Sequence, residues 1–98
     1  MKVRFLLDRL RRLETDAQFT DGLPAGLVKA FRKRMNLIRN AENERDLYEL
    51  KSNRCERLQG NRGHQFSIRL NDQWRLIFEL EGEHPNKTLV VVSIEDYH

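Results

Sequence analysis

The clearest periodic signal in the chain is the recurrence of Leu27, Phe31, Met35 and Ile38 at spacings of four, four and three. That is the apolar stripe of an amphipathic helix. Gly22-Leu23-Pro24 breaks the chain just ahead of it, and Pro24 suits a first helical turn. Lys29, Arg32, Lys33, Asn36 and Arg39 fall off the stripe and form a basic face. Nearer the start, Val3, Phe5 and Leu7 alternate, which predicts a short strand over residues 2–7. Leu6, Leu10 and Leu13 also share one helical face, so strand and helix overlap in this stretch. Asp8 stands where it would cap a helix reaching about residue 14. After the long helix, Asn40 or Asn43 caps a further short one. Glu42 and Glu44 lie at the positive end of its dipole, and Leu47 and Leu50 pin it inward.

Beyond Cys55 the period changes to two. Phe66, Ile68 and Leu70 alternate with Gln65, Ser67 and Arg69. Asn71-Asp72 reads as a two-residue hairpin turn. Trp74, Leu76, Phe78 and Leu80 then alternate with Gln73, Arg75, Ile77 and Glu79. Residues 81–86 form a polar loop, and the valine-rich run 89–94 reads as a strand covered on both faces. A short strand over 56–58, before the Gly60–Gly63 turn, completes a meander. The order implies an α+β fold, with an N-terminal strand and two to three helices packed on a mostly antiparallel sheet of four to five strands.

Composition narrows the class. The 98 residues suit one domain spanning 1–98, with 39% hydrophobic residues for a small core and 34% charged residues for a solvated exterior. No apolar run approaches the roughly 20 residues needed to span a bilayer, and the start meets charge too early for a signal peptide. A single cysteine, Cys55, suits a reducing cytosol, so the expected location is the cytoplasm.

Eighteen Lys and Arg against fifteen Asp and Glu leave a net charge of +3. The basic residues cluster in 1–12, 29–40 and 51–75, separated by acidic blocks, so only folding can gather them on one surface. Such a surface attracts a polyanion, and nucleic acid is the first candidate. Lys29, Arg32 and Lys33 on the basic helix are candidate backbone contacts. Alternation sets Arg69 on one strand and Gln73 and Arg75 on its hairpin partner, a fork able to hold phosphate bidentately. The bland alternative pairs those arginines with Glu79, Glu95 or solvent. Arg62, in the Gly60-Asn61-Arg62-Gly63 turn, is a further phosphate contact. The ending Glu95-Asp96-Tyr97-His98 gathers four proton-transfer or hydrogen-bonding groups behind a buried strand. His64, His84 and Cys55 lack zinc-ligand spacing, and neither a phosphate-binding glycine loop nor a dinucleotide fingerprint occurs. No metal and no cofactor is expected.

Three segments together carry a resemblance: Leu58-Gln59-Gly60-Asn61-Arg62, the hairpin Phe66-Ser67-Ile68-Arg69-Leu70-Asn71-Asp72-Gln73-Trp74-Arg75-Leu76-Ile77-Phe78, and Glu95-Asp96-Tyr97-His98. They resemble HigB-type toxins, the plasmid maintenance killer branch of the RelE superfamily of type II toxin–antitoxin systems. The resemblance implies a RelE-like microdomain acting as a ribosome-dependent, metal-independent endoribonuclease (an mRNA interferase) that cuts mRNA in the A site by 2′-OH attack and inhibits translation. It implies as partners the ribosome, mRNA and a HigA-like helix-turn-helix antitoxin, with operator DNA reached indirectly through the antitoxin. On this reading Arg75 meets the charge on phosphorus, Arg69 holds the neighbouring backbone and His98 transfers the proton. Asp96 orients His98, and Tyr97 positions the nucleotide. Where well-described relatives carry a His and a Lys before the glycine turn, this chain has Glu56 and Gln59. The alternative is therefore a weakly active or inactive RelE-fold binding module serving antitoxin pairing and operon regulation.

Overall fold

A computed structural model of the chain describes residues 1–49 and 54–96. The elements run β1 (Lys2–Phe5), α1 (Asp8–Thr15), α2 (Ala25–Asn40), α3 (Glu44–Glu49), β2 (Glu56–Arg57), a 3₁₀ turn (Gly60–Arg62), β3 (Phe66–Arg69), β4 (Trp74–Glu81) and β5 (Thr88–Asp96). The strands form one sheet in the order β1-β5-β4-β3-β2, with β1 parallel to β5 and the other pairs antiparallel.

The α2 stripe does what its spacing requires. Leu27, Phe31, Met35 and Ile38 are all buried, joined by Leu10 and Leu13 from α1 and Leu47 from α3. Each such side chain contributes about 1.5–3 kcal/mol through removal from water. They meet the sheet face formed by Ile68, Leu70, Leu76, Phe78, Leu89 and Val91. Phe66 and Phe78, paired across β3 and β4, stack with ring centroids 5.4 Å apart. Asn43 accepts the backbone N–H of Arg45 at 2.9 Å, so it is the one of the two candidate asparagines that caps the entry to α3. Leu50, expected beside Leu47, lies outside the described residues.

The interior strand β5 is buried on both faces, as its valine-rich run predicts. Leu89 and Val91 join the helix-side core, whereas Val90 is buried on the other face between Arg4 and Glu79 in the register. Ile77 is likewise fully buried on that second face. The register slips between Ile77 and Phe78, whose partners are Ser93 and Val91, so Val92 is an extra residue. A bulge of this kind increases local twist.

Two local expectations change. The first strand ends at Phe5 rather than at residue 7, because Leu7 is already the extended residue before α1 and Asp8 supplies the acid of its first turn. Leu6 and Leu7 are consequently exposed, and the helical face begins at Leu10. The β3–β4 turn holds three residues, 71–73, closed by the Leu70 N–H donating to the Trp74 carbonyl at 2.9 Å. The Asn71 side chain explains the longer form: its Oδ1 accepts the N–H groups of Gln73 at 2.9 Å and Trp74 at 2.8 Å.

A candidate nucleic-acid interface at the β3–β4 turn

Strand register brings Arg69 and Arg75 directly opposite each other on the face that carries no helices. Like charges in that relation repel, and the two guanidiniums diverge. Arg69 donates to the Asp72 carboxylate and, through Nε, to the Asn71 carbonyl at 3.3 Å. Arg75 turns inward, its Nη2 donating to the carbonyl of Arg54 and, at 3.4 Å, to that of Ser67. Arg54 comes from the segment before β2, where it adopts a left-handed backbone with φ 45°. Together Arg54, Arg69, Asn71, Asp72 and Arg75 line a pocket of about 140 Å³.

A fourth guanidinium stands behind the pocket. Arg34 of α2 donates from Nε to the Arg69 carbonyl at 2.9 Å. Burial, reinforced by the charge of Arg69, lowers its pKa from the ordinary arginine value, though a guanidinium remains charged at neutral pH. Among the described residues the lining draws on three arginines and one aspartate, a positive balance that suits a phosphate group.

Other sequence-nominated residues are disposed differently. Arg62 is joined to Glu95 by two parallel hydrogen bonds of 3.1 and 2.9 Å, and its Nε donates to Gln65 at 2.9 Å. The Arg62 hydrogen bonds hold the Glu95 carboxyl below the usual carboxylate range, aided by the Ser93 hydroxyl and opposed by burial. Arg32 donates to the carbonyls of Leu13 at 2.9 Å, Asp16 at 3.0 Å and Phe19 at 3.0 Å. It therefore ties the end of α1 and the following loop to α2, away from the pocket. Lys29 and Lys33 are exposed on α2.

Gln73 lies in the turn rather than on β4, and its amide donates to Asp96 at 2.9 Å. Asp96 pairs in register with Trp74, while Glu95 pairs with Arg75. Asp96 thus reaches the same end of the sheet as the arginine pocket but points to the Trp74 side of the ladder. Tyr97 and His98 lie outside the described residues.

Burial pushes the Cys55 thiol up to about 12, so it carries no thiolate at neutral pH. His64 is 3.7 Å from Glu79 and His84 is 3.8 Å from Glu44. Among the described residues no three His, Cys, Asp or Glu side chains gather as a metal-ligand group, and no helix is long and apolar enough to cross a membrane. A larger cleft of about 650 Å³, lined by Met1, Lys2, Arg39, Glu42, Pro85, Asn86 and Lys87, is electrostatically different. Its Arg39 pairs with Glu14 at 2.7 Å and its Lys87 with Glu44 at 2.9 Å.

Arg34 and Arg54 were not singled out by sequence reasoning. Arg34 is visible as one more basic residue off the α2 stripe, but nothing in its spacing says that α2 delivers it to the hairpin. Arg54 depends on the path of the chain into β2.

A helical layer on one side of this sheet, with a cluster of arginines on the other, is the architecture of the RelE fold. Over its whole length the chain superposes on the whole of a YoeB/ParE toxin from Agrobacterium tumefaciens, with a TM-score of 0.58 and 20% identity. The profile of the RelE-like toxin HigB of type II toxin–antitoxin systems matches residues 3–98, and the chain belongs to this HigB-like toxin family. The chain is also 33% identical over 64 residues to an uncharacterised protein of Haemophilus influenzae, a match spanning 65% of this chain and 63% of that protein.

Proposed function

We propose that the protein is a ribosome-dependent endoribonuclease that cuts mRNA in the A site, in the bacterial cytoplasm, and is neutralised by a HigA-like helix-turn-helix antitoxin through which it also reaches operator DNA. The observation that carries this reading is that Arg54, Arg69 and Arg75 line one pocket at the end of the sheet toward which β5 runs. The nucleophile is the substrate's own 2′-OH, so the chemistry needs proton transfer and charge stabilisation rather than a metal. Arg75 meets the charge that develops on the phosphorus oxygens, and Arg69 holds the adjacent backbone. His98 moves the proton. Asp96, held by the Gln73 amide, orients it, and Tyr97 positions the nucleotide. Lys29 and Lys33, exposed on α2, contribute long-range attraction to the ribosomal polyanion.

A second reading, an antitoxin-binding module with weak or no cleavage, is favoured by Glu56. This exposed carboxylate pairs in register with Ser67, on the same face as Arg69 and Arg75, where it repels RNA. Inducible expression of the chain with and without deletion of His98, followed by growth and mapping of mRNA ends, separates the two. Arrest with new in-frame cuts, relieved by the deletion, supports the nuclease. Equal toxicity of both forms removes His98 from the mechanism, and equal harmlessness of two folded proteins favours the binding module.

A further inference from the structure

We propose that the pocket beneath the β3–β4 turn is a subsite for a backbone phosphodiester of single-stranded RNA, that Asp72 occupies it as an internal counter-anion until RNA displaces the carboxylate, and that Arg54 is its third cationic arm. This inference rests on the nuclease reading for the identity of the polyanion, but it concerns binding and not cleavage.

Among the described residues Asp72 is the only carboxylate in the pocket lining, and its partner Arg69 is part of the cluster with which RNA would pair. The Asp72 side chain is 94% exposed, whereas that of Arg69 is 33% exposed. The acid therefore sits at the mouth while the base is held from behind. Exposed ion pairs of this kind are worth only about 0–1 kcal/mol, so a phosphate can exchange with the carboxylate at little cost. The turn is built to keep Asp72 in position without burying it. The Asn71 side chain binds the backbone of Gln73 and Trp74, fixing the loop around residue 72. Arg69 stays anchored when Asp72 leaves, because its Nε also donates to the Asn71 carbonyl and its own carbonyl accepts from Arg34.

Arg54 completes the arrangement from the other side. Its carbonyl receives Arg75, which couples the segment before β2 to the pocket, and its own guanidinium has no hydrogen bond or ion pair among the described residues. An exposed arginine of that kind contributes to binding without first breaking a contact to another described residue. Free phosphate monoesters share the pocket's chemistry, but a continuous RNA backbone also reaches the charges outside it.

The test is fluorescence anisotropy with a 2′-O-methyl oligoribonucleotide, which has no nucleophilic hydroxyl and cannot be cleaved. At about 0.1 M KCl the screening length is near 10 Å. Glu83, in the loop beyond β4, lies more than about 20 Å along the strand from Arg75, so Glu83→Gln controls for a change in net charge alone. Asp72→Asn is expected to tighten binding roughly three- to ten-fold by removing the competing anion. Arg54→Gln should weaken it about ten-fold, and Glu83→Gln should leave it within two-fold. A 5′-nucleoside monophosphate should compete far less well than an unlabelled copy of the oligomer. Asp72→Asn no tighter than Glu83→Gln, unchanged binding by folded Arg54→Gln, or competition by the monophosphate equal to that by the oligomer each overturns the proposal. So does absence of measurable binding by the unaltered protein. Because the probe cannot react, these results stand apart from whether the protein cuts mRNA.

Discussion

Replacing Arg62 by glutamine should lower stability at neutral pH and lose part of its effect in acid. The Arg62–Glu95 pair is geometrically favourable, with two hydrogen bonds of 3.1 and 2.9 Å, but both side chains remain partly exposed, at 42% and 33%. Solvent screening limits such a pair to about 1 kcal/mol even in good geometry. The Nε bond to Gln65 adds roughly another 0.5–1 kcal/mol. Together they give about 1–2 kcal/mol, which for a domain of this length corresponds to a fall in Tm of roughly 5–15 °C. The pH dependence follows from Glu95, whose folded pKa lies below the ordinary carboxylate value because of Arg62. A depressed carboxyl contributes stability above its unfolded pKa of about 4.3 and loses it as pH falls through the lower folded value. The gap between thermal melts of the unaltered and Arg62→Gln proteins should therefore narrow as the pH is taken from neutral down through the carboxylate range, leaving the share owed to the Gln65 bond. An unchanged Tm at pH 7, or a gap that persists undiminished in acid, would refute the reasoning.

Further consequences follow from packing and from the arginines. Phe31→Ala, at a position wholly closed to solvent, should cost about 3–5 kcal/mol, leaving a weak or absent cooperative transition in a urea melt. Arg32→Met removes three charged-donor hydrogen bonds to carbonyls and should destabilise by about 2–4 kcal/mol, seen as a lower urea midpoint. Arg75→Lys keeps the charge but loses the planar fork. It should slow mRNA cleavage in a translation extract by roughly 10²- to 10³-fold while circular dichroism stays unchanged.

The elements that announced themselves in the sequence were those whose own spacing was sufficient. The α2 stripe and the alternation from Phe66 to Leu80 each turn an apolar face to the core, so period identified them even though Ser67 and Ile77 are buried on the opposite face of the sheet. The basic hairpin was legible for the same reason, since alternation sets Arg69 and Arg75 on one face. Contacts between residues distant in sequence were not legible. Arg62 meets Glu95 thirty-three positions away, and Arg34 meets the Arg69 carbonyl thirty-five positions away. No local pattern encodes either encounter. Arg32 lay on the correct polar side of its helix, yet its length let it reach the orphan carbonyls after α1 rather than project into solvent. The Val92 bulge reverses which side of the sheet successive β5 residues face, so simple parity from Leu89 assigns Glu95 and Asp96 to the wrong faces.

That placement matters for the chemistry. Glu95, opposite Arg75, is engaged by Arg62 and Ser93, whereas Asp96 is reached by the turn amide of Gln73. Glu95 is thus paired with an arginine, and Asp96 accepts a hydrogen bond from the turn. The proposed mechanism assigns orientation of His98 to Asp96.

The chemistry of the cut end tests the central claim most directly. A defined mRNA is translated in a purified bacterial system with the protein added, and the 3′ terminus of the upstream fragment is characterised by mass spectrometry. Attack by the substrate's own hydroxyl predicts a 2′,3′-cyclic phosphate or its 3′-phosphate hydrolysis product, and no cleavage when the nucleotide 5′ to the cut is 2′-deoxy. A 3′-hydroxyl terminus, or undiminished cutting of the deoxy-substituted message, would contradict the account.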